Sequence, residues 1–442
     1  MQGWLTCSAA ELGRGIEAGD IDPVELTQVY LDAIENHPLR DRIYARVTSD
    51  RALAEAEAAR ARAASGRRLS ALDGVPVSWK DLFDTAGVAT EAGSALLKDR
   101  VPDTDAQVVA NATAMGTVCL GKTHLSEFAF SGLGYNPMTA TPPNVNDADA
   151  VPGGSSSGAA ASVAFDVAPI AVGSDTAGSV RIPAAWNNLV GLKTTAGRVS
   201  LHGTVPLCPK FDTVGPLART VEDAALMLAA LEGTQATDLR GATLDNMRFA
   251  VLKTVAMDDL RDAPKDAFQG AVDLLAQQGA KVETLEIPQI AEATGLSGLL
   301  YTSEAYGQWK QLIEAAPHKM FAEILERFRG GKDHLASDYI AAWARLHEIR
   351  AIYAASTAEY SAVLLPTSAI LPPNIVRLKT DHDYYVTENL LALRNTRIGN
   401  LMGLAALSVP TGVAGCGLMI MTPPNSEERL LRIGAAVEKA LA

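Results

Sequence analysis

The sequence predicts an α/β fold: a single large layered domain with a central, mostly parallel mixed sheet covered by helices on both faces. Three observations point there. Short apolar runs alternate with helical patterns along most of the chain, as in layered α/β proteins. The run from Val167 to Val172 is apolar without a break, which suits a strand buried on both faces. No linker, repeat or low-complexity tract divides the 442 residues. We therefore expect one domain over 1–442. Within it we expect a helical wrap over 1–66, a core carrying the candidate site over 67–235, an α/β and helical cover over 236–360, and a return to the sheet over 361–442.

The elements follow from local signals. Ser8 with Glu11 three places on forms a capping box. Asp22-Pro23 is an N-cap followed by proline at the first helical position. Ser49 opens an Ala/Glu/Arg-rich helix that Gly66 closes. Val75 to Trp79 reads as a strand, Asp103 or Thr104 as the cap of a helix through Met115, and Thr117 to Gly121 as a strand. A helix over Ser156 to Phe165 precedes the Val167–Val172 strand. A helix after Ser179, a strand over Leu189 to Leu192 and a helix from Thr220 to Leu231 follow. Residues 248–287 read as strand, helix, strand, and 289–360 as mostly helical. Ala362 to Leu365 is another core strand, then a helix over 385–402, an apolar strand pair over 404–421 and a helix over 426–441.

Composition narrows the function classes. At 48% hydrophobic residues a large core is available, and a formal charge of −13 argues against a nucleic-acid surface. Residues 401–421 are uncharged but interrupted by Gly403, Pro410, Gly412, Gly415 and Gly417, which favours buried strands over a membrane span. Four scattered cysteines show neither a disulfide framework nor metal-ligand spacing. The beginning of the sequence lacks a basic region followed by an apolar one, so no signal peptide is expected. The expectation is a cytoplasmic protein with no metal, no cofactor, no nucleic acid, no membrane and a symmetric homodimer as the base case.

The chemistry concentrates in two glycine-rich, serine-bearing turns, Gly153-Gly154-Ser155-Ser156-Ser157-Gly158 and Gly173-Ser174-Asp175-Thr176-Ala177-Gly178-Ser179, and in Lys80 at the end of Val77-Ser78-Trp79-Lys80-Asp81. Alone, each has a plainer explanation: a helix N-terminus, a βα turn, a surface lysine. The first turn lacks the lysine of a phosphate-binding loop. It matches GxSxG but follows the polar loop Asn146 to Pro152 where a nucleophile elbow needs a strand. A strand that ends in small residues leaves backbone N–H groups free to converge on one oxygen. A desolvated lysine can lose its proton and serve as a base.

Taken together, these segments resemble the amidase signature family. The resemblance rests on Lys80-Asp81, Gly153-Gly154-Ser155-Ser156 and Asp175-Thr176-Ala177-Gly178-Ser179. It extends to Thr123–Asn136, Arg181–Ala185, Gly191–Thr194 and Asp212–Thr220. It implies an amidase hydrolysing a small-molecule carboxamide through a Ser179 acyl-enzyme, with Ser155 as proton bridge and neutral Lys80 as base. It also implies a cis peptide bond before Ser155, an oxyanion hole at Thr176, Ala177, Gly178 and Ser179, and an acyl pocket lined by Phe128, Ala129 and Ser131. Ser156, Asp175 and Arg181 are expected as structural support. Ala177 stands where the family usually has glycine, so its φ should be negative. None of the seven histidines is required. The alternative is a glutaminase-like component of a tRNA-dependent amidotransferase, against which Phe130-Ser131-Gly132-Leu133-Gly134 lacks the usual Ser/Thr/Glu-rich block.

Overall fold

The computed structural model describes residues 2–442; Met1, at the start of the segment read for a signal peptide, lies outside it. Among the described residues, eleven strands form one sheet: β1 (Tyr44–Val47), β2 (Pro76–Lys80), β3 (Val118–Thr123), β4 (Ile170–Asp175), β5 (Val190–Lys193), β6 (Thr213–Ala218), β7 (Arg248–Leu252), β8 (Lys281–Leu285), β9 (Ala362–Pro366), β10 (Ala405–Pro410) and β11 (Gly417–Thr422). Their spatial order is β1-β3-β2-β4-β6-β5-β10-β11-β9-β7-β8. Every residue of β2, β4, β6, β9 and β11 is buried. Successive side chains of a strand point to opposite faces, so both faces are covered. Helix Glu427–Leu441 packs on β10 and β11, Val221–Glu232 on β6, and Ser157–Ala164 on β4 and β2.

The α/β layering is as expected, but the strand sense is not. Six of the ten pairings are antiparallel and four parallel, so the sheet is mixed and mostly antiparallel. The physical reason lies in two features. β10 and β11 are joined by a short turn, which only antiparallel strands allow. β6 runs antiparallel to both of its neighbours, β4 and β5. Gly215-Pro216 hides β6 in the sequence, because proline cannot donate to a ladder. It is tolerated because β5 pairs only with Leu217 and Ala218, leaving Pro216 beside a single partner strand.

The helix ends mostly follow their signals. Ser8 and Glu11 form the reciprocal capping box, and Asp22 caps the helix that Pro23 opens. The expected cap at Asp103 or Thr104 is absent; that helix is Gln107–Ala114, preceded by Ala106 with no side-chain cap. Asp105 instead takes the Arg51 guanidinium through two hydrogen bonds of 2.8 Å and accepts the Ala86 N–H.

What the topology does for function is simple. β2 and β4 are parallel neighbours, with Ser78 against Ala171 and Trp79 against Val172. Their carboxyl ends, Lys80 and Asp175, therefore open on the same edge of the sheet, where α/β proteins bind ligands.

Candidate active site

Lys80 ends β2 and is completely buried. Its Nζ lies 2.7 Å from Ser155 Oγ, 2.8 Å from Ser174 Oγ and 3.1 Å from Ser156 Oγ. All three neighbours are hydroxyls. Asp81, next in sequence, points elsewhere and pairs with Lys122 at 3.0 Å and Arg46 at 3.4 Å. Burial pulls the Lys80 ammonium down to about 7, against a smaller upward pull from the Asp175 and Asp212 charges.

The hydroxyl directions can be worked out. Ser156 Oγ donates to the Ser174 carbonyl at 3.2 Å, so its proton is spent and it accepts from Lys80. A neutral amine has two N–H donors and one lone pair, and among three hydroxyl neighbours one must donate to it. Ser155 and Ser174 are both free to do so, since neither hydroxyl donates elsewhere among the described residues. A neutral amine facing a hydroxyl is the arrangement that takes a proton from it.

The serine turn is held by backbone contacts. The Gly154–Ser155 peptide bond is cis, as the resemblance implied. Gly154 N–H donates to the Gly132 carbonyl at 2.8 Å, and Ser126 N–H to that of Ser155 at 3.2 Å. Ser156 N–H donates to the Ser179 carbonyl at 3.1 Å, which brings the two turns side by side. Gly173 allows β4 to approach this turn, since a Cβ there would stand 2.5 Å from Ser156 Oγ. Among the described residues no hydrogen bond joins the Ser155 and Ser179 hydroxyls; Ser179 faces a small cavity instead.

Asp175 shapes the second turn. Its Oδ1 accepts Gly178 N–H at 2.8 Å, and its Oδ2 accepts Val180 N–H at 3.1 Å. Arg181, fully buried, grips the same carboxylate through Nη2 at 2.9 Å and Nε at 3.0 Å, and also donates to the Thr396 carbonyl and Asn400. Burial alone would push the Asp175 carboxyl up; the Arg181 guanidinium more than offsets this and holds it below the usual carboxylate range. Arg181 thus braces the turn and has no group left for a substrate.

Gly178 N–H is committed to Asp175, so it is not a free oxyanion donor as the sequence suggested. The N–H groups of Thr176, Ala177 and Ser179 have no protein acceptor among the described residues. Ala177 keeps a negative φ, as its methyl requires, and Gly178 takes φ 140. A Cβ at Gly178 would stand 2.1 Å from Thr396 Oγ1, so this position must be glycine.

Of the expected pocket residues, Ala129 and Ser131 line the cavity with Ser179. Phe128 does not. Its ring packs behind on Trp309 and Phe328, with centroids 4.7 and 5.8 Å away. Sequence reasoning missed Leu207, Tyr301, Arg327 and Leu393, which complete the lining. Tyr301 and Arg327 come from helices Gln289–Ala315 and Ala322–Arg329, and Leu393 from His382–Leu401. Nothing in their local sequence marks them.

One prediction concerns the brace. Asp175→Asn leaves the buried Arg181 without its counter-charge and should lower unfolding free energy by about 3–5 kcal/mol in urea denaturation. The native carboxyl titrates below the unfolded one, so its contribution is present above about pH 4 and lost as pH falls. The variant should therefore lose less stability than the parent on acidification. A change under about 1 kcal/mol would contradict this role.

Comparison with known proteins agrees with this geometry. The family model described as Amidase matches residues 25–431. The A component of the glutamyl-tRNA(Gln) amidotransferase of Thermobifida fusca is 34% identical, with 99% of this chain and 96% of that protein covered. The 2-amino-5-chloromuconic acid deaminase of Comamonas testosteroni is 35% identical, covering 98% of this chain and 96% of that one. The solved peptide amidase of Stenotrophomonas maltophilia superposes with a TM-score of 0.81 at 27% identity, over 98% of this chain and 96% of its own. Among the described residues no helix is long and apolar enough to cross a membrane. The chain belongs to the amidase family, whose members are hydrolases acting on amide C–N bonds.

Proposed function

We propose that this protein hydrolyses a small-molecule carboxamide to carboxylate and amine or ammonia through an acyl-enzyme on Ser179. The observation that carries the reading is the buried Lys80 Nζ, 2.7 Å from Ser155 Oγ and ringed by hydroxyls rather than carboxylates. As Ser179 Oγ attacks the carbonyl carbon, its proton passes to Ser155 Oγ and the Ser155 proton to Lys80 Nζ. The link from Ser155 to Ser179 closes when substrate fills the cavity; catalytic hydrogen bonds commonly tighten only in the substrate complex. The N–H groups of Thr176, Ala177 and Ser179 receive the oxyanion, and each such donor is worth about 3 kcal/mol. The C–N bond breaks, and the leaving nitrogen takes a proton back through Ser155. Water then attacks the ester by the same relay and frees the carboxylate.

Intact-mass spectrometry after mixing with a panel of amides and esters tests this. A trapped acyl adduct mapping to Ser179 is expected, and an adduct on any other residue contradicts it. The similarity to the Thermobifida amidotransferase component supports a second reading, a glutaminase-like protein feeding ammonia to a partner. Glutamine-dependent ammonia release that requires a co-purifying protein would favour it.

A further inference from the structure

Further along the sheet edge that carries Ser179 lies a second, larger hollow. β6 starts at that edge, with Thr213 against Asp175. β5 runs antiparallel to β6 and ends there; β10 runs antiparallel to β5 and begins there. The loop after β5, the loop before β6 and helix Ala336–Thr357 enclose a groove in two halves, of about 510 and 410 Å³. Ala196, Lys210 and Arg350 line both halves, so the two are continuous. Small-molecule sites typically measure about 300–1,000 Å³, and the groove has that size. It shares no lining residue with the Ser179 cavity. Phe211 stands between the two. Its ring centroid is 4.4 Å from that of Tyr301, which lines the cavity, and 4.9 Å from that of Trp343, which lines the groove.

The groove is charged opposite to the chain. The protein carries a formal −13, yet Lys210, Arg350 and Arg429 line the groove and no Asp or Glu does. Among the described residues none of these three cations makes an ion pair with a carboxylate. Lys210 Nζ lies 4.9 and 5.0 Å from the ring centroids of Tyr339 and Trp343 and has no hydrogen-bond acceptor. The neighbouring Glu304 accepts the Lys210 backbone N–H at 3.2 Å rather than its ammonium. Arg350 donates Nε to the Leu401 carbonyl at 2.7 Å, which leaves both Nη groups free. Arg429 gives Nη2 to the Tyr360 and Ser361 carbonyls and keeps Nη1. Tyr353, 4% exposed, lines the second half, and its hydroxyl has no partner; nor has Trp343 Nε1 in the first. Such orphaned groups call for a partner from outside the chain. A single surface cation is ordinarily just solvated. Three that border one groove, with acids kept out of it, concentrate a positive field there.

We propose that this groove is a second ligand site, separate from the Ser179 cavity, for a small aromatic anion: a planar ring bearing a carboxylate or a phosphate group. The anionic group meets Lys210 and the free Nη groups of Arg350 where the two halves join, in charge-assisted hydrogen bonds stronger than neutral ones. The ring lies against Tyr339 and Trp343 on one side of that junction or Tyr353 and Tyr360 on the other. Stacked or edge-on aromatic pairs add stabilisation beyond the area they bury. A cationic ligand meets only like charge in this groove, and a neutral ring leaves its donors unpaired.

Isothermal titration calorimetry with 2-naphthoate, 2-naphthyl phosphate and the neutral 2-naphthalenemethanol tests this. One or both anions should bind at one site per chain, at least about tenfold tighter than the alcohol, a difference of about 1.4 kcal/mol. The tighter of the two identifies the anionic group. Inorganic phosphate and acetate, which lack the ring, should bind at least about tenfold more weakly than their aryl counterparts. Lys210→Met should weaken anion binding by at least about tenfold and leave the alcohol unchanged. Lys210 is exposed, so this variant should fold, and Lys210→Arg should retain binding. Enzyme labelled at Ser179 with a fluorophosphonate should bind the anion as the free enzyme does. No binding of either anion, equal binding of the alcohol, an affinity unmoved by Lys210→Met, or loss of binding on labelling would overturn the second site. Failure of Ser179 to label would count against the hydrolase reading alone, since Lys210→Met reads the groove directly.

Discussion

Ser179→Ala should lower kcat by about 10⁶ and abolish covalent labelling by a fluorophosphonate, as loss of the nucleophile does in other serine hydrolases. The substitution removes one oxygen from a buried turn that Asp175 and Arg181 already hold. The fold and the free N–H groups of Thr176 and Ala177 should persist, so the melting temperature should stay close to that of the parent. Residual turnover above the uncatalysed rate should come from oxyanion stabilisation and binding alone. Retained labelling, or kcat within about tenfold of the parent, would mean another residue attacks the carbonyl.

Lys80→Met should have the second largest effect, lowering kcat/KM by about 10³–10⁴, the range that general acid–base catalysis supplies. In the parent, Lys80 works as a base only when neutral. With its ammonium pulled down to about 7 by burial, activity should rise with pH through that value and then level off. Lys80→Met should lose this rise.

The same shift predicts that removing Lys80 raises stability while it lowers activity. Between about pH 7 and pH 10.5 the unfolded lysine holds a proton that the folded one has released. Stability therefore rises with pH in that window, and the penalty is fully present below it. That penalty is roughly 4 kcal/mol at neutral pH. Methionine removes it but leaves three hydroxyls without their amine, which costs about 1–3 kcal/mol. Lys80→Met should then melt above the parent at pH 6.5, with the gap shrinking toward pH 10. A less active and more stable variant is what a functional buried lysine predicts. A variant less stable at pH 6.5 would mean the amine serves mainly as structure.

What the sequence made legible was local. Lys80, the serine turn and the Asp175–Arg181 brace each sit within short segments whose chemistry shows in residue type and spacing, and the structure brings them to one sheet edge. The boundaries of β2, β4 and β5 shifted by only one to three residues. Strand sense was not legible, because β6 carries Gly215-Pro216 at its centre and looks like a loop. Nor was the commitment of Gly178 N–H to Asp175, which depends on how the turn folds back on itself. The far wall of the cavity was the least accessible part. Tyr301, Arg327 and Leu393 sit on three helices well over a hundred residues from Ser179, and only tertiary packing brings them there. Phe128 was misplaced for a related reason: its φ of 48 turns the ring onto Trp309 and Phe328 and lets Ala129 face the cavity instead.

The most direct test is the second-order rate constant for fluorophosphonate labelling of Ser179, mapped by peptide mass, from pH 5 to pH 9. Labelling reads nucleophile activation without substrate binding or product release. A single rise with a midpoint near 7 that disappears in Lys80→Met is the expected result. A flat profile, or the same rise in Lys80→Met, would contradict a proton relay that begins at this lysine.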